Sequence, residues 1–207
     1  MAKDPNENPY WSPLPQGPVF DVIDVKNWCT TAFLIYLGSK GLNHVVISKD
    51  EAVDFKIEDR WVHPDLIELY QKARDKTLPT LLLRLAISFR VLQDRESDNT
   101  ALNTKIEQID ANHPNGIFSW DEEDPNCSVT LRELCNKIIH GSDIRYPHDS
   151  DDPLLDGEVH SMTGVVEIAG VRGKKKKKWS IYFHLCDFLD AILEIAHWME
   201  ANQPKSQ

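Results

Sequence analysis

Residues 63–96 read HPDLIELYQKARDKTLPTLLLRLAISFRVLQDRE, and this stretch decides the fold class. Pro64 suits the first turn of a helix, and Asp65 then lies near the positive end of the helix dipole. A second helix is predicted from Thr77, which can cap it, with Pro79 in its first turn. The apolar residues after Pro79 recur at helical spacing and predict a wide buried stripe: Leu82, Leu85, Ala86, Phe89 and Leu92.

Further helices are predicted on both sides of this pair. Residues 19–37 place apolar side chains on one or two helical faces, and Gly38 and Gly41 supply a stop. The apolar residues of that segment are Phe20, Ile23, Trp28, Phe33, Leu34 and Leu37. A shorter polar helix is expected over residues 99–109. Residues 187–201 predict a final helix whose buried residues are Phe188, Ile192, Ile195 and Trp198.

Another helix is predicted to begin at Ser128 as the N-cap and to end at Gly141. Its inward-facing residues would be Leu131, Leu134, Ile138 and Ile139. Residues 112–126 and 142–158 are rich in Asn, Asp and Pro and are expected to be loops. Residues 45–62 mix strand-like residues with charges and favour no single element.

The segment 163–185, TGVVEIAGVRGKKKKKWSIYFHL, predicts a β-hairpin, because both arms are rich in Val, Ile and aromatic residues. A lone hairpin is marginal in water, so it should pack on the helices. The expected fold class is therefore mainly α, a helical bundle with a small β-hairpin. Residues 1–18, with five of the 12 prolines, are expected to form an extended arm, and residues 19–202 one domain.

Composition excludes several classes of protein. The chain of 207 residues is 41% hydrophobic and 27% charged, which is typical of a globular protein. Its formal charge of -10 repels nucleic acid at long range, so any nucleic-acid contact needs a local basic patch. Four scattered cysteines without a CxxC pair favour buried thiols over disulfides. No signal peptide or apolar run of about 20 residues is present, so we expect a cytoplasmic protein without a membrane partner.

One predicted helix also carries chemistry. Within TLRELCNKIIHGSDIR, residues Arg132, Asn136 and His140 are spaced by four and should form one polar ridge. Imidazole can move a proton to or from a ribose 2′-hydroxyl or a leaving oxygen near neutral pH. Guanidinium stabilises charge on phosphate oxygens, and an amide can orient the attacked group. Such a set can cleave RNA without a metal or cofactor.

The sequence CNKIIH, residues 135–140, resembles a degenerate RNxxxH motif of HEPN-domain proteins. In that family the motif lies near the end of a helix in a helical bundle, dimers often bring two motifs together, and active members are metal-independent endoribonucleases. Many serve in toxin–antitoxin and antiviral defence systems. The resemblance matches Asn136 to the motif's Asn and His140 to its His. Cys135 stands where the motif has Arg, so Arg132 or Arg145 would have to supply the phosphate clamp.

Two readings of this helix follow from the sequence. In the first, the protein is a HEPN-like bacterial endoribonuclease with RNA as its substrate and a homodimer or a partner protein as its assembly. In the second, it is a catalytically inactive protein-interaction or RNA-binding module of the same fold. The second is favoured by the loss of the motif's Arg, and by the possibility that His140 only caps its helix.

Two other segments have alternative interpretations. The lysines at the hairpin tip could bind RNA phosphates, or they could form a solvated turn that discourages strand pairing: Lys174, Lys175, Lys176, Lys177 and Lys178. A loop rich in His and Asp could bind a divalent cation or could simply be acidic and solvated: His148, Asp149, Asp151, Asp152 and His160. No regular metal-ligand spacing is present, and no metal site is predicted.

Overall fold

The computed structural model describes residues 20–41, 45–47, 55–57, 60–62, 64–113, 116–120, 127–147, 162–172 and 177–202. The predicted arm, residues 1–18, lies outside these ranges. The helices are α1 (Val22–Gly41), α2 (Pro64–Lys72), α3 (Leu78–Arg95), α4 (Thr100–Asn112), α5 (Leu131–His140) and α6 (Leu185–Asn202). The strands are β1 (Val45–Ile47), β2 (Phe55–Ile57), β3 (Arg60–Val62), β4 (Ile117–Trp120), β5 (Cys127–Ser128), β6 (Asp143–Arg145), β7 (Val165–Arg172) and β8 (Lys177–His184). The mainly helical fold class is confirmed.

Helices α2 and α3 are joined without a break by a π-helical turn, Ala73–Thr77. The predicted cap at Thr77 is therefore wrong: Thr77 has helical dihedral angles and makes no side-chain capping bond. The physical reason lies at Pro79, which has no N–H to offer the carbonyl of Asp75 and whose ring would crowd it in an α turn. The wider turn, in which the Leu78 N–H donates to the Ala73 carbonyl, lets the helix continue past the proline.

Helix α5 begins later than the sequence predicts. Thr130, not Ser128, is the N-cap, because its hydroxyl accepts from the Glu133 N–H while the Glu133 carboxylate accepts from the Thr130 N–H. Ser128 instead ends strand β5 and pairs with Ile117. The predicted end at Gly141 is confirmed. A Cβ there would contact the Ile168 side chain, so close packing on β7 requires glycine.

The predicted hairpin is confirmed as β7 and β8, and it forms the centre of a larger sheet. The antiparallel strand order is β5-β4-β8-β7-β6, with Ile168 opposite Ile181 in the hairpin. Two predicted loops are thereby corrected, since residues 117–120 and 143–145 pair with the hairpin as β4 and β6. Both segments are short, and their pairing satisfies backbone groups that the hairpin edges would otherwise expose. Strands β1–β3 form a separate antiparallel sheet.

The core lies where α1 packs on α6 and α3, α3 packs on α5, and the sheet covers α5 and α6. Helix α6 buries Phe188, Ile192 and Ile195 as predicted, with Trp198 partly buried. Within the described ranges no helix is both long and apolar enough to cross a bilayer.

Helix α1 exposes most of its large apolar side chains. Its buried residues are Val22, Val25, Cys29, Ala32 and Ile35, whereas most of the large side chains chosen from the sequence are exposed. The helix also runs through Gly38 and ends at Gly41. The smaller apolar residues suit the close contacts with α3 and α6.

Candidate functional site

The polar ridge predicted from the sequence lies on α5, which runs antiparallel to α3. Near its start, Arg132 contacts the end of α3; near its end, Ile138 and Ile139 share a pocket with Leu82 and Leu83. The first turn of α5 is held by the Thr130 cap and by Asp110 of α4, whose carboxylate accepts from the Leu131 N–H at 2.7 Å. The ridge therefore sits on a helix that is fixed at its N-terminal end.

Two guanidinium groups meet at the start of the ridge. Arg132 donates to Gln93 Oε1 and to Asp94 Oδ1, both at 3.2 Å. Arg90 donates to the same two oxygens, at 3.2 Å and 3.3 Å. One carboxylate is thus shared by two arginines, so this cluster of Arg90, Gln93, Asp94 and Arg132, the arginine cluster, keeps a net charge of about +1. The Arg132 side chain is half-exposed and that of Arg90 is mostly covered.

The sequence does not indicate Arg90 as a site residue. In the structure Arg90 lies close to Cys135, the position at which the resemblance to HEPN proteins would place an Arg. The Cys135 thiol is fully buried, and burial raises its pKa well above the usual range, while the nearby Arg90 charge lowers it in part. Burial lowers the pKa of Arg90, the Asp94 charge opposes this, and the nearby Arg132 charge lowers the pKa further. The spacing of Arg90, Gln93 and Asp94 on α3 was visible in the sequence, but their contact with α5 depends on the tertiary fold.

Asn136 and His140 continue the ridge. Asn136 is half-buried and His140 is exposed. Among the described residues, neither side chain has a hydrogen-bond partner, so the imidazole makes no capping bond to the end of α5. His140 lies eight residues beyond Arg132, or about 12 Å along the helix axis. The ridge is therefore longer than a single phosphate.

A pocket of about 320 Å³ opens beside the C-terminal end of α5. Its walls are mostly apolar and come from α3, α5, β6 and β7, and Ser142 and Asp143 add polar groups. Gly141 and Ile139, which flank His140 in sequence, both line it. The end of the ridge thus adjoins a concave surface with apolar walls.

Arg145 has a different electrostatic environment. It is exposed and pairs with Asp143 at 2.7 Å and with Glu167 at 3.8 Å. Hydrogen bonding to Asp143, with the charges of Asp143 and Glu167, raises the pKa of its guanidinium. One arginine between two carboxylates leaves a negative net charge, so the surroundings of Arg145 suit a phosphate less well than the arginine cluster does.

The remaining predicted sites fall largely outside the described residues. Lys174, Lys175 and Lys176 lie there, as does the His/Asp-rich loop with His148 and His160. Lys177 and Lys178 are exposed at the start of β8. In the described ranges, no group of three His, Cys, Asp or Glu side chains could hold a metal ion.

A second candidate surface lies on α1 and was not predicted. Ile23 is 70% exposed, Leu34 60%, Leu37 44% and Phe33 42%. Phe33 also lines a groove of about 310 Å³ between α1 and α6, together with Leu189 and Leu193. Exposed apolar surface of this extent is typical of interaction sites.

Comparison with protein-family models, with curated proteins and with solved structures gives no match.

Proposed function

We propose that this protein is a HEPN-like RNA-binding protein that contacts RNA along the ridge of α5, with His140 as the residue that moves a proton in metal-independent cleavage. The observation that carries the proposal is the shared carboxylate of the arginine cluster. Because Asp94 balances only one of the charges of Arg90 and Arg132, the cluster attracts an anion despite the acidity of the chain.

The roles follow from position along the ridge. The arginine cluster would hold one phosphate of a strand, with Arg90 supplying the charge that the motif lacks at Cys135. His140, about 12 Å away, would act at a different linkage. There the imidazole would take the proton of a 2′-hydroxyl or give one to the leaving 5′-oxygen, and Asn136 would orient the linkage. The products would be a 2′,3′-cyclic phosphate and a 5′-hydroxyl.

Binding is tested by the anisotropy of a fluorescent single-stranded RNA titrated with protein over a range of salt concentrations. Arg132→Ala should weaken binding and reduce the salt slope by about 0.7. Arg84→Ala is the matched control, because it removes one positive charge from α3 on the side facing Trp28 of α1. If both variants lose the same affinity for RNA, the loss comes from net charge alone, and this would contradict a site at the arginine cluster.

Cleavage is tested with the same RNA in the presence of a chelator. Wild-type protein should produce fragments that end in cyclic phosphate, and His140→Ala should lose this activity while binding RNA with wild-type affinity. Cleavage by His140→Ala at the wild-type rate would refute the assignment.

A catalytically silent interaction module is the second candidate. It is favoured by the burial of Cys135 at the position of the motif's Arg and by the engagement of Arg132 with α3. RNA binding that depends on Arg132, without cleavage by wild-type protein, would identify an RNA-binding module. Failure of both assays would leave the exposed face of α1 as the functional surface.

A further inference from the structure

The exposed side chains of α1 follow a repeat of four and three residues. Ile23, Asn27, Thr30, Leu34 and Leu37 are all exposed, and their spacing places them on one stripe, here called the α1 stripe. The opposite face of the same helix is buried against α3 and α6. This spacing is that of the seam between two packed helices, and a helical stripe with several large apolar side chains is normally covered.

We infer that the α1 stripe binds the α1 stripe of a second copy of this chain, with the two helices antiparallel. In this arrangement Ile23 of one copy lies near Leu34 and Leu37 of the other. Asn27 and Thr30 lie near the two-fold axis, where an amide and a hydroxyl can bond across it. A polar residue at such a seam is a known means of fixing helix register.

The charges of α1 favour the antiparallel orientation. Asp21 and Asp24 lie at its N-terminal end and Lys40 at its C-terminal end. Antiparallel pairing brings each acidic end to the basic end of the other copy, whereas parallel pairing would bring like charges together. The dipoles of the two helices oppose each other in this arrangement, and this also favours antiparallel pairing.

The exposed apolar area is close to what such a contact requires. Ile23, Phe33, Leu34 and Leu37 together expose on the order of 400 Å² of side chain, given their exposed fractions. A standard interface buries about 800 Å² per partner, a little over half of it apolar. Phe33 extends the contact into the groove between α1 and α6, where the other copy can bury further surface.

This inference is independent of the proposed RNA function. Helix α3 packs against both α1 and α5, so a seam on α1 leaves the α5 ridges of the two copies apart and accessible, unlike the HEPN dimers in which two motifs meet. Loss of the dimer and loss of RNA binding are therefore separable results.

The test is the molar mass of the full chain in solution, measured by light scattering and sedimentation at about 100 μM. Wild-type protein should have twice the chain mass of 23.7 kDa. Leu34→Glu should raise the dissociation constant of the dimer at least about 30-fold. Val171→Glu is the matched control, because Val171 is also an exposed large apolar residue but lies in β7. Circular dichroism should show that both variants stay folded.

Orientation is tested by charge reversal in the same assay. Lys40→Glu should weaken the dimer, and adding Asp24→Lys to the same chain should restore it. A monomeric wild-type chain would overturn the inference and leave the stripe to another segment or protein. A dimer that persists in Leu34→Glu would also overturn it, and a charge swap that fails to restore the dimer would exclude the antiparallel arrangement.

Discussion

Arg90 and Arg132 come from two helices and donate to the same pair of oxygens, one on Gln93 and one on Asp94. Two guanidinium groups that bind the same oxygens lie close enough to repel each other, and the shared Asp94 carboxylate compensates only part of that repulsion. The arginine cluster therefore joins α3 to α5 and also leaves a local net positive charge on an acidic protein.

Asp94→Asn should increase RNA affinity, because it removes the competing carboxylate and raises the local charge from about +1 to about +2. The free energy of unfolding should change by less than ~1 kcal/mol, as expected for partly exposed ion pairs. Glu107→Gln on α4 changes the net charge equally at another exposed position. An equal gain in affinity for both variants would contradict a local site. Anisotropy and thermal melts give the two quantities.

Thr130→Ala should cost about 1 kcal/mol of stability, because it removes the hydroxyl that caps α5. Ser128→Ala should have little effect, since Ser128 is exposed in β5. Urea unfolding of both variants measures the difference. The opposite ranking would support the N-cap predicted from the sequence instead.

Gly170→Ala should destabilise the protein by about 1–3 kcal/mol. A Cβ at this position would meet the indole of Trp179, which is buried in the sheet and has Lys137 Nζ 4.4 Å from its ring centroid. Gly38→Ala provides the contrast. Gly38 lies inside α1, and its added Cβ would be 3.6 Å from the Tyr70 side chain, an ordinary van der Waals contact. That substitution should stabilise α1 by about 0.5–1 kcal/mol. If chemical unfolding shows that Gly38→Ala is destabilised as well as Gly170→Ala, then α1 does not tolerate alanine at position 38.

Glu194 should contribute to stability above pH 4.5, its ordinary pKa, and lose that contribution as the pH falls. Hydrogen bonds from Lys105 and then from His113 lower the pKa of this carboxyl, so the charged form is favoured in the folded state. Glu194→Gln should therefore melt below wild type near pH 6, and the difference should shrink below about pH 4.5. Melts across this range measure the effect, and a difference that does not depend on pH would exclude the ion pair as its cause.

The sequence predicted those elements whose pattern is local. The hairpin, α6 and the end of α5 at Gly141 follow from residue type and spacing, and all three are confirmed. Ser128 and Thr130 are both competent N-caps, and the choice between them depends on strand β5, whose partner β4 lies in a segment read as a loop. Local patterns do not contain that pairing.

The candidate surfaces were less predictable. In α1 the apolar spacing predicts one or two faces without saying which is buried, and Ile23 and Leu34 are exposed while Cys29 and Ala32 are buried. Side-chain size does not reveal which face of an apolar helix meets its neighbours. Arg90 lies 45 positions before Cys135 in the chain, so only the packing of α3 on α5 brings the two together.

The π turn of residues 73–77 also bears on how this helix tolerates changes in length. Such a turn holds one residue more than an α turn. It therefore accommodates one extra residue in the helix while the segments on either side keep the same faces toward their neighbours. Deleting one residue there would preserve the faces of α2 and α3 but would bring the ring of Pro79 against a carbonyl in a regular α turn. The extra residue and the proline thus depend on each other, and a shortened chain would keep a straight helix only if both were changed together.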